Sequence, residues 1–181
     1  MLSGRTKGDL LEVSLALGSE MLVLAGLADT PDAARTMLQA KLESGEGLEK
    51  LRQLLGAQGG DPRVCDDVTL LPQPKVIRDV KVGRVGYIAA MDTTALGLAA
   101  QAMGAGRIHK TDIIDPSVGF ILPVRIGDRV TEEDTLVQLW ASDEASADRA
   151  ERDIRAAITL SGTPVARPTL IHCRFAQEEV Q

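Results

Sequence analysis

Apolar residues recur at helical spacing through the first part of the chain. Residues 9–28 carry them at intervals of three, four or seven, which predicts a first helix with a stripe formed by Leu10, Val13, Leu17, Met21, Leu24 and Leu27. Further apolar residues flank this stripe, and so wide an apolar surface predicts burial on more than one side. Thr30 followed by Pro31 predicts the start of a second helix, which runs to about Glu43. A third helix is predicted at about 47–58, with a stripe of leucines at 48, 51, 54 and 55.

The apolar spacing changes from helical to alternating after Lys75. The alternation predicts strands at 76–82, 85–90, 118–125, 135–141 and 170–175. Helices are predicted between them at about 94–103 and 144–159. Pro72 and Pro74 oppose both helix and central strand, so we expect them to separate the two patterns. The chain is therefore expected to be an α+β protein, with a helical segment at 1–72 and a second domain at 73–181.

Composition and charge narrow the classes of function. Apolar residues make up 44% of the 181 residues and aromatic residues only 2%, so the core is expected to be aliphatic. Stacking platforms for single-stranded nucleic acid are correspondingly scarce. With a net charge of −6 and no long basic run, binding to nucleic acid is not expected.

The apolar first helix does not predict a membrane span or a secretory signal. Asp9, Glu12 and Glu20 interrupt it, and an acidic residue near the middle of a span costs about 2.5–3.5 kcal/mol on insertion scales. Cys65 and Cys173 form no CxxC pair, which is typical of reduced thiols in a cytoplasmic protein. We therefore expect a cytoplasmic protein without membrane partners.

The glycine-rich segment Gly104-Ala105-Gly106-Arg107 is the first candidate for phosphate binding. Phosphate loops precede a helix, where free N–H groups and the positive end of the helix dipole face the anion. This segment follows a predicted helix, where glycine serves as a left-handed C-cap. The structural role is favoured, although Arg107, His109 and Lys110 remain candidates for a surface that faces another domain.

The other polar groups do not form a recognisable catalytic set. Asp112 and Asp115 resemble an acid/base pair, but the following Pro116 favours turn capping. Ser117 and Ser142 have no nearby histidine, and residues 132–134 are expected to be a solvated turn. The methionines at 37, 91 and 103 are expected to fill the core. His109 and His172 are isolated, and no residue set has metal-ligand spacing, so we assign no catalytic, cofactor-binding or metal residue and expect no cofactor.

Residues 125–144 predict a hairpin with a turn at Gly127-Asp128 and a second strand at LVQLW. The pattern resembles the second hairpin of the barrel-sandwich module in biotinyl and lipoyl carrier domains. Carriers attach their cofactor to a lysine on the turn after this strand, where the present chain has Asp143. A carboxylate cannot form the attaching amide, so a carrier function is not expected.

Several stretches together resemble the pyrimidine nucleoside phosphorylase family. Residues 20–62 are similar to the family's last helical stretch, and later residues resemble its C-terminal domain. The later stretches are GYIAAMDTTALGLAAQAMGAGR at 86–107, TDIIDPSVGF at 111–120, GDRVTEEDTL at 127–136, ASDE at 141–144 and TPVARPTLIHCRF at 163–175. MDTTALG followed by AMGAGR is similar to the bacterial thymidine phosphorylase branch, while AQGGDP also occurs in the broader pyrimidine-nucleoside branch.

The resemblance implies a fold and a reaction. Residues 73–181 would be an α/β-hammerhead, barrel-sandwich-like C-terminal domain, and residues 1–72 the end of the family's central α/β domain with a linker. Enzymes of this family are pentosyltransferases of nucleoside salvage, which convert thymidine and phosphate to thymine and 2-deoxyribose 1-phosphate. The parent protein is expected to be a homodimer.

The resemblance also implies that the chain begins downstream of the family's catalytic half. In the family, a glycine- and serine-rich loop with a lysine holds phosphate, and an Arg, Ser and Lys set surrounds the base. None of these residues has a counterpart here, so phosphate and pyrimidine nucleoside are expected as partners only through that N-terminal half.

Two hypotheses remain open from the sequence. The chain is the C-terminal part of a thymidine phosphorylase, with a scaffold role and no activity alone, or it is a non-catalytic complementing subunit of a split pyrimidine-nucleoside phosphorylase. In either case the first helix should expose a large apolar patch if its packing partner is absent.

Overall fold

The computed structural model describes residues 2–4 and 7–175 of the chain. The described residues divide between two compact units, bounded as Met1–Leu70 with Thr169–Gln181, and Leu71–Pro168. The described part of the first unit is helical, whereas the second combines helices with two three-stranded antiparallel sheets. The predicted α+β class and N-terminal helical segment are confirmed, and the two sheets do not close into a barrel.

The helical unit contains α1 (Asp9–Leu24), α2 (Pro31–Glu43) and α3 (Glu46–Ala57). Helix α1 packs against α2 on the face that carries Leu15 and Ser19, both of which are buried. Gly18 lies on this face, and a Cβ there would come within 2.8 Å of Leu38 Cδ1. The absence of a side chain at Gly18 therefore permits the close approach of the two helices. Two short 3-10 turns, Pro62–Cys65 and Val68–Leu70, follow α3.

Helix α1 ends four residues earlier than predicted. Gly26 adopts a left-handed conformation with φ 68°, its N–H donates to Val23 O, and the N–H of Leu27 donates to Leu22 O. These two bonds form a Schellman cap, which satisfies the last carbonyl groups and turns the chain away from the helix axis. The apolar residue Leu27 extends the periodicity past the glycine, which is why the pattern alone overestimates the helix.

The second unit contains strands β1 (Val76–Lys81), β2 (Gly86–Met91), β3 (Gly119–Ile121), β4 (Arg129–Val130), β5 (Thr135–Ala141) and β6 (Ile158–Ser161). One sheet has the order β1-β5-β3 and the other the order β4-β2-β6. Strands are predicted at 118–125 and 135–141, on either side of the Gly127-Asp128 turn. They pair only in part, because Gly119–Ile121 alone of the first segment pairs with β5. The residues after the turn leave that hairpin, and β4 pairs instead with β2. Pro123 has no N–H to donate, which is consistent with the early end of β3.

The core of this unit is aliphatic, as the composition predicts. Helices α4 (Thr93–Ala100) and α5 (Glu144–Ala157) pack together, and α5 also covers β5. The largest fully buried side chains are Ile88, Leu136, Leu139, Ile154 and Val137. On α5, the buried side chains are small except for Ile154, so the helix lies close to the sheet.

One predicted helix ends two residues early, and one predicted strand is wrong. The helix predicted at 144–159 ends at Ala157, and Ile158–Ser161 forms the strand β6 because the backbone of β2 pairs with it. Residues 170–175 form no strand, since neither sheet of the described chain extends to them. They are exposed and belong to the helical unit, where Arg174 forms an ion pair with Glu20 at 2.7 Å. Among the described residues, no helix combines the length and the apolar character needed to cross a membrane.

Candidate functional site

The glycine-rich segment Gly104–Arg107 lies after a helix, as predicted. A π-helical turn, Gln101–Ala105, continues α4, and Gly104 adopts φ 104° inside it. The carbonyl of Gly104 accepts a hydrogen bond from Asp115 N at 3.0 Å, and the Gln101 side chain donates to Arg107 O. The segment is therefore at the carbonyl end of the helix and is tied down by its own neighbours, an arrangement that does not favour an anion.

The two candidate acid/base aspartates hold local turns. Asp112 accepts hydrogen bonds from Ile108 N at 2.9 Å and His109 N at 2.7 Å. Asp115 accepts from the Ser117 hydroxyl at 2.6 Å and from Ser117 N at 2.9 Å, and these bonds lower the pKa of Asp115. A carboxylate that is stabilised in its ionised form is a poor proton donor near neutral pH. The turn-capping interpretation of both residues is confirmed.

The turn that would carry the modified lysine of a carrier domain has a different role here. Asp143 is the N-cap of α5, and its carboxylate accepts a hydrogen bond from Ser146 N at 2.7 Å. A side chain that satisfies the first turn of a helix is fixed against its own backbone. This position therefore begins α5 and provides no attachment point for a cofactor.

The most extensive polar cluster is one that the sequence patterns do not reveal. Arg78 on β1 donates to Asp148 at 2.7 Å, to Glu144 at 2.5 Å and to Glu151 at 3.3 Å, all on α5. These carboxylates, with Asp148 first, hold the pKa of Arg78 above its ordinary value. Arg155 extends the cluster by bonding Glu151 at 3.0 Å and Lys81 O at 2.7 Å. The cluster ties α5 to β1. Because each charged group described here has a partner inside the cluster, it offers no free group for catalysis.

Groups that bind metals are dispersed in the part of the chain that the structure describes. Within residues 2–4 and 7–175, no three His, Cys, Asp or Glu residues lie together in a way that would hold an ion. Cys65 and Cys173 are free, the first half-buried and the second exposed.

The three methionines predicted to lie in the core and the turn predicted at 132–134 differ in how exposed they are. Met103 is buried and Met91 packs against the core, but Met37 is 45% exposed on α2, so its prediction as a core residue is wrong. The sequence spacing places Met37 on a helix but does not show whether a neighbouring element covers it. The 132–134 turn is exposed, as predicted, and Asp134 accepts hydrogen bonds from Thr131.

Two open depressions, one on each unit, are lined by described residues that do not form a set of convergent catalytic groups. The larger, about 370 Å³, is lined by Pro123, Val124, Asp128, Arg129, Val130, Asp134 and Thr135. Its carboxylates are engaged, since Asp128 accepts from Arg125 N at 2.8 Å and from Arg167, and Asp134 accepts from Thr131. The smaller, about 190 Å³, lies between α1, α2 and the residues before α1.

The exposed face of α1 is the most distinctive surface feature of the helical unit. Four large apolar side chains on one face of the helix are 62–86% exposed: Leu10, Leu17, Met21 and Leu24. We call this set the α1 stripe. The predicted apolar patch on the first helix is therefore present, on a different face from the one that packs against α2.

Comparisons with known proteins agree with the residues that carry the resemblance. Residues 87–161 match the family described as the pyrimidine nucleoside phosphorylase C-terminal domain. The chain is 37% identical over 175 residues to a pyrimidine-nucleoside phosphorylase of Geobacillus stearothermophilus, a match that covers 97% of this chain and 40% of that enzyme. A pyrimidine-nucleoside phosphorylase of Staphylococcus aureus is also 37% identical, over 94% of this chain and 39% of its own length. The chain thus spans about two fifths of the relatives that it matches.

Proposed function

Because this chain carries the C-terminal domain of the pyrimidine nucleoside phosphorylase family, we propose that it is the C-terminal portion of a thymidine phosphorylase with a supporting role. The observation that carries the proposal is the coverage: almost the whole chain matches, but it spans only 40% of the Geobacillus relative. The preference for thymidine is supported by the resemblance of MDTTALG and AMGAGR to the bacterial thymidine phosphorylase branch.

The proposed reaction explains why this chain is assigned a supporting role. A phosphate oxygen bonds to C1 of the deoxyribose while the bond from C1 to the base nitrogen breaks, and the base leaves with the electron pair. Positive charge develops at C1 and negative charge on the base, so the site needs cations and N–H donors for both phosphate and pyrimidine. The charged clusters described above are closed on themselves, which supports a site built from sequence outside the matched portion.

The domain assignment belongs to the same proposal. Residues 1–72 would be the end of the central α/β domain with its linker, and residues 73–181 the hammerhead-like domain that supports it. The parent enzyme would be a cytoplasmic homodimeric pentosyltransferase of pyrimidine salvage.

The second candidate function is that of a complementing subunit of a split pyrimidine-nucleoside phosphorylase. The exposed α1 stripe supports it as it supports the first candidate, because an apolar face of this kind is a typical docking surface for another part of a protein. The two candidates share the reaction and differ in whether the catalytic half is on the same polypeptide.

The decisive experiment is an assay of thymidine phosphorolysis by the chain alone and after mixing. The partner in the mixture is the part of the Geobacillus enzyme outside the matched 175 residues, expressed separately. We expect no turnover by either piece alone and measurable thymine release after mixing.

The matched control is the same partner mixed with the corresponding portion of the Geobacillus enzyme itself. Turnover by the present chain alone that persists through repurification would overturn the supporting role. If the control mixture is active and the present chain cannot replace that portion, the assignment to this reaction is contradicted.

A further inference from the structure

We propose that the α1 stripe is a docking surface for the part of a pyrimidine-nucleoside phosphorylase that lies outside the matched region. The proposal rests on the proposed function and deepens it, since it assigns the contact with the catalytic part to Leu10, Leu17, Met21 and Leu24. These residues follow one another at intervals of seven, four and three, so they lie on one face of the helix. With about 1.5 Å of rise per residue, the α1 stripe is roughly 21 Å long.

The α1 stripe is distinct from the surface that stabilises the helical unit. Leu15, Gly18 and Ser19 face α2, and the Ser19 hydroxyl donates to Leu15 O at 2.7 Å. The apolar residues of the α1 stripe lie on another face and remain 62–86% exposed. A helix that is apolar on two faces is typical of one that is packed on both, and the described chain supplies packing for one of them.

The share of the relatives that the chain covers is the argument for the occupant. The larger part of the Geobacillus enzyme has no counterpart in this chain, which covers 40% of it. A second copy of this chain is the alternative occupant, and the dependence of Met21 protection on chain concentration distinguishes the two. The unmatched part makes up more than half of the Geobacillus enzyme, which is enough chain to supply an interface of ordinary size.

Oxidation of Met21 measures directly whether the α1 stripe is covered, because hydrogen peroxide oxidises an exposed methionine faster than a buried one. Met21 is 69% exposed and Met103 is 5% exposed, so in the free chain Met21 should be oxidised much faster. The free chain is compared with a chimera in which this chain replaces the matched 175 residues of the Geobacillus enzyme. We expect oxidation of Met21, followed by peptide mass spectrometry, to be at least about tenfold slower in the chimera.

A pair of variants provides a second measurement. Leu17→Glu places a charge in the α1 stripe, whereas Gln39→Glu places the same charge on an exposed position of α2. Leu17→Glu should leave the melting temperature of the free chain nearly unchanged and lower that of the chimera by more than about 4 °C. Gln39→Glu should leave both melting temperatures nearly unchanged.

Several results would overturn the proposal. These are equal Met21 oxidation in the free chain and the chimera, protection of Met21 in the free monomer, or protection only in a concentration-dependent dimer of this chain. Unfolding of the free chain by Leu17→Glu would likewise place the α1 stripe inside this chain's own core.

If the chimera does not fold, the free chain is mixed with the separately expressed missing part, and Met21 must become protected in that mixture. Phosphorolysis is assayed independently. Protection of Met21 without activity would count against the proposed function and leave the docking surface in place.

Discussion

Several aspartate side chains of this protein accept hydrogen bonds from its own backbone. Asp92 and Asp143 cap α4 and α5, with hydrogen bonds of 2.9 and 2.7 Å from Ala95 N and Ser146 N. Asp134 holds a turn in the same way, and the hydrogen bonds from Thr131 lower the pKa of Asp134. At the residue scale, these aspartates look like candidate acids and bases. They accept hydrogen bonds from N–H groups that would otherwise lack a partner at helix starts and turns.

The cap at Asp143 leads to a stability prediction. Asp143→Ala leaves a first-turn N–H of α5 without its partner, which should lower the free energy of unfolding by about 0.5–2 kcal/mol, whereas Asp143→Asn should retain most of it. Urea denaturation of the free chain measures the difference. Asp153→Ala, which removes an exposed carboxylate further along the same helix, is the control. An equal loss from both substitutions would show that the cap contributes nothing specific.

At the element scale, α5 is held to the sheet in two ways. Its buried face packs through Ile154 and several alanines, and its N-terminal and central turns carry the carboxylates around Arg78 of β1. The apolar face could be predicted from the sequence because it repeats at helical spacing. The ion cluster could not, since Arg78 and Glu144 are 66 positions apart and only the pairing of β1 with β5 brings them together.

The ion cluster should make stability depend on salt. Arg78→Met removes the cation among three carboxylates, so the free energy of unfolding should fall at low ionic strength. The loss should diminish in about 1 M NaCl, where the Debye length is only about 3 Å. Arg152→Met on the exposed side of α5 is the control and should have little effect. A loss for Arg78→Met that is equal at low and high salt would assign its role to packing of the side-chain stem.

At the scale of the whole molecule, burial is divided unequally between the two units. The continuous core cluster lies entirely between Val80 and Ile158. In the described part of the helical unit, only Leu15, Ser19 and Ala34 are buried. A region with few buried contacts opens at a lower free energy than a region with a continuous core.

Hydrogen exchange should therefore separate the two units. In the free chain, the amides of α1, α2 and α3 are expected to exchange well before those of β5 and the buried turns of α5. Mass spectrometry of peptic fragments after labelling measures the order. Exchange of α1 as slow as that of β5 would mean that the helical unit is as stable as the sheet unit, contrary to its burial.

The sequence by itself determined the existence of the helices, the aliphatic core and the turn at Gly127-Asp128. Each of these depends on short-range spacing, on composition or on the conformational limits of single residues. The tertiary structure alone decided that residues 158–161 continue as a strand, that residues 170–175 do not, and which face of α1 packs against α2. Strand formation requires the N–H and C=O groups of a neighbouring backbone, and exposure depends on what packs nearby, so neither is encoded in the local pattern.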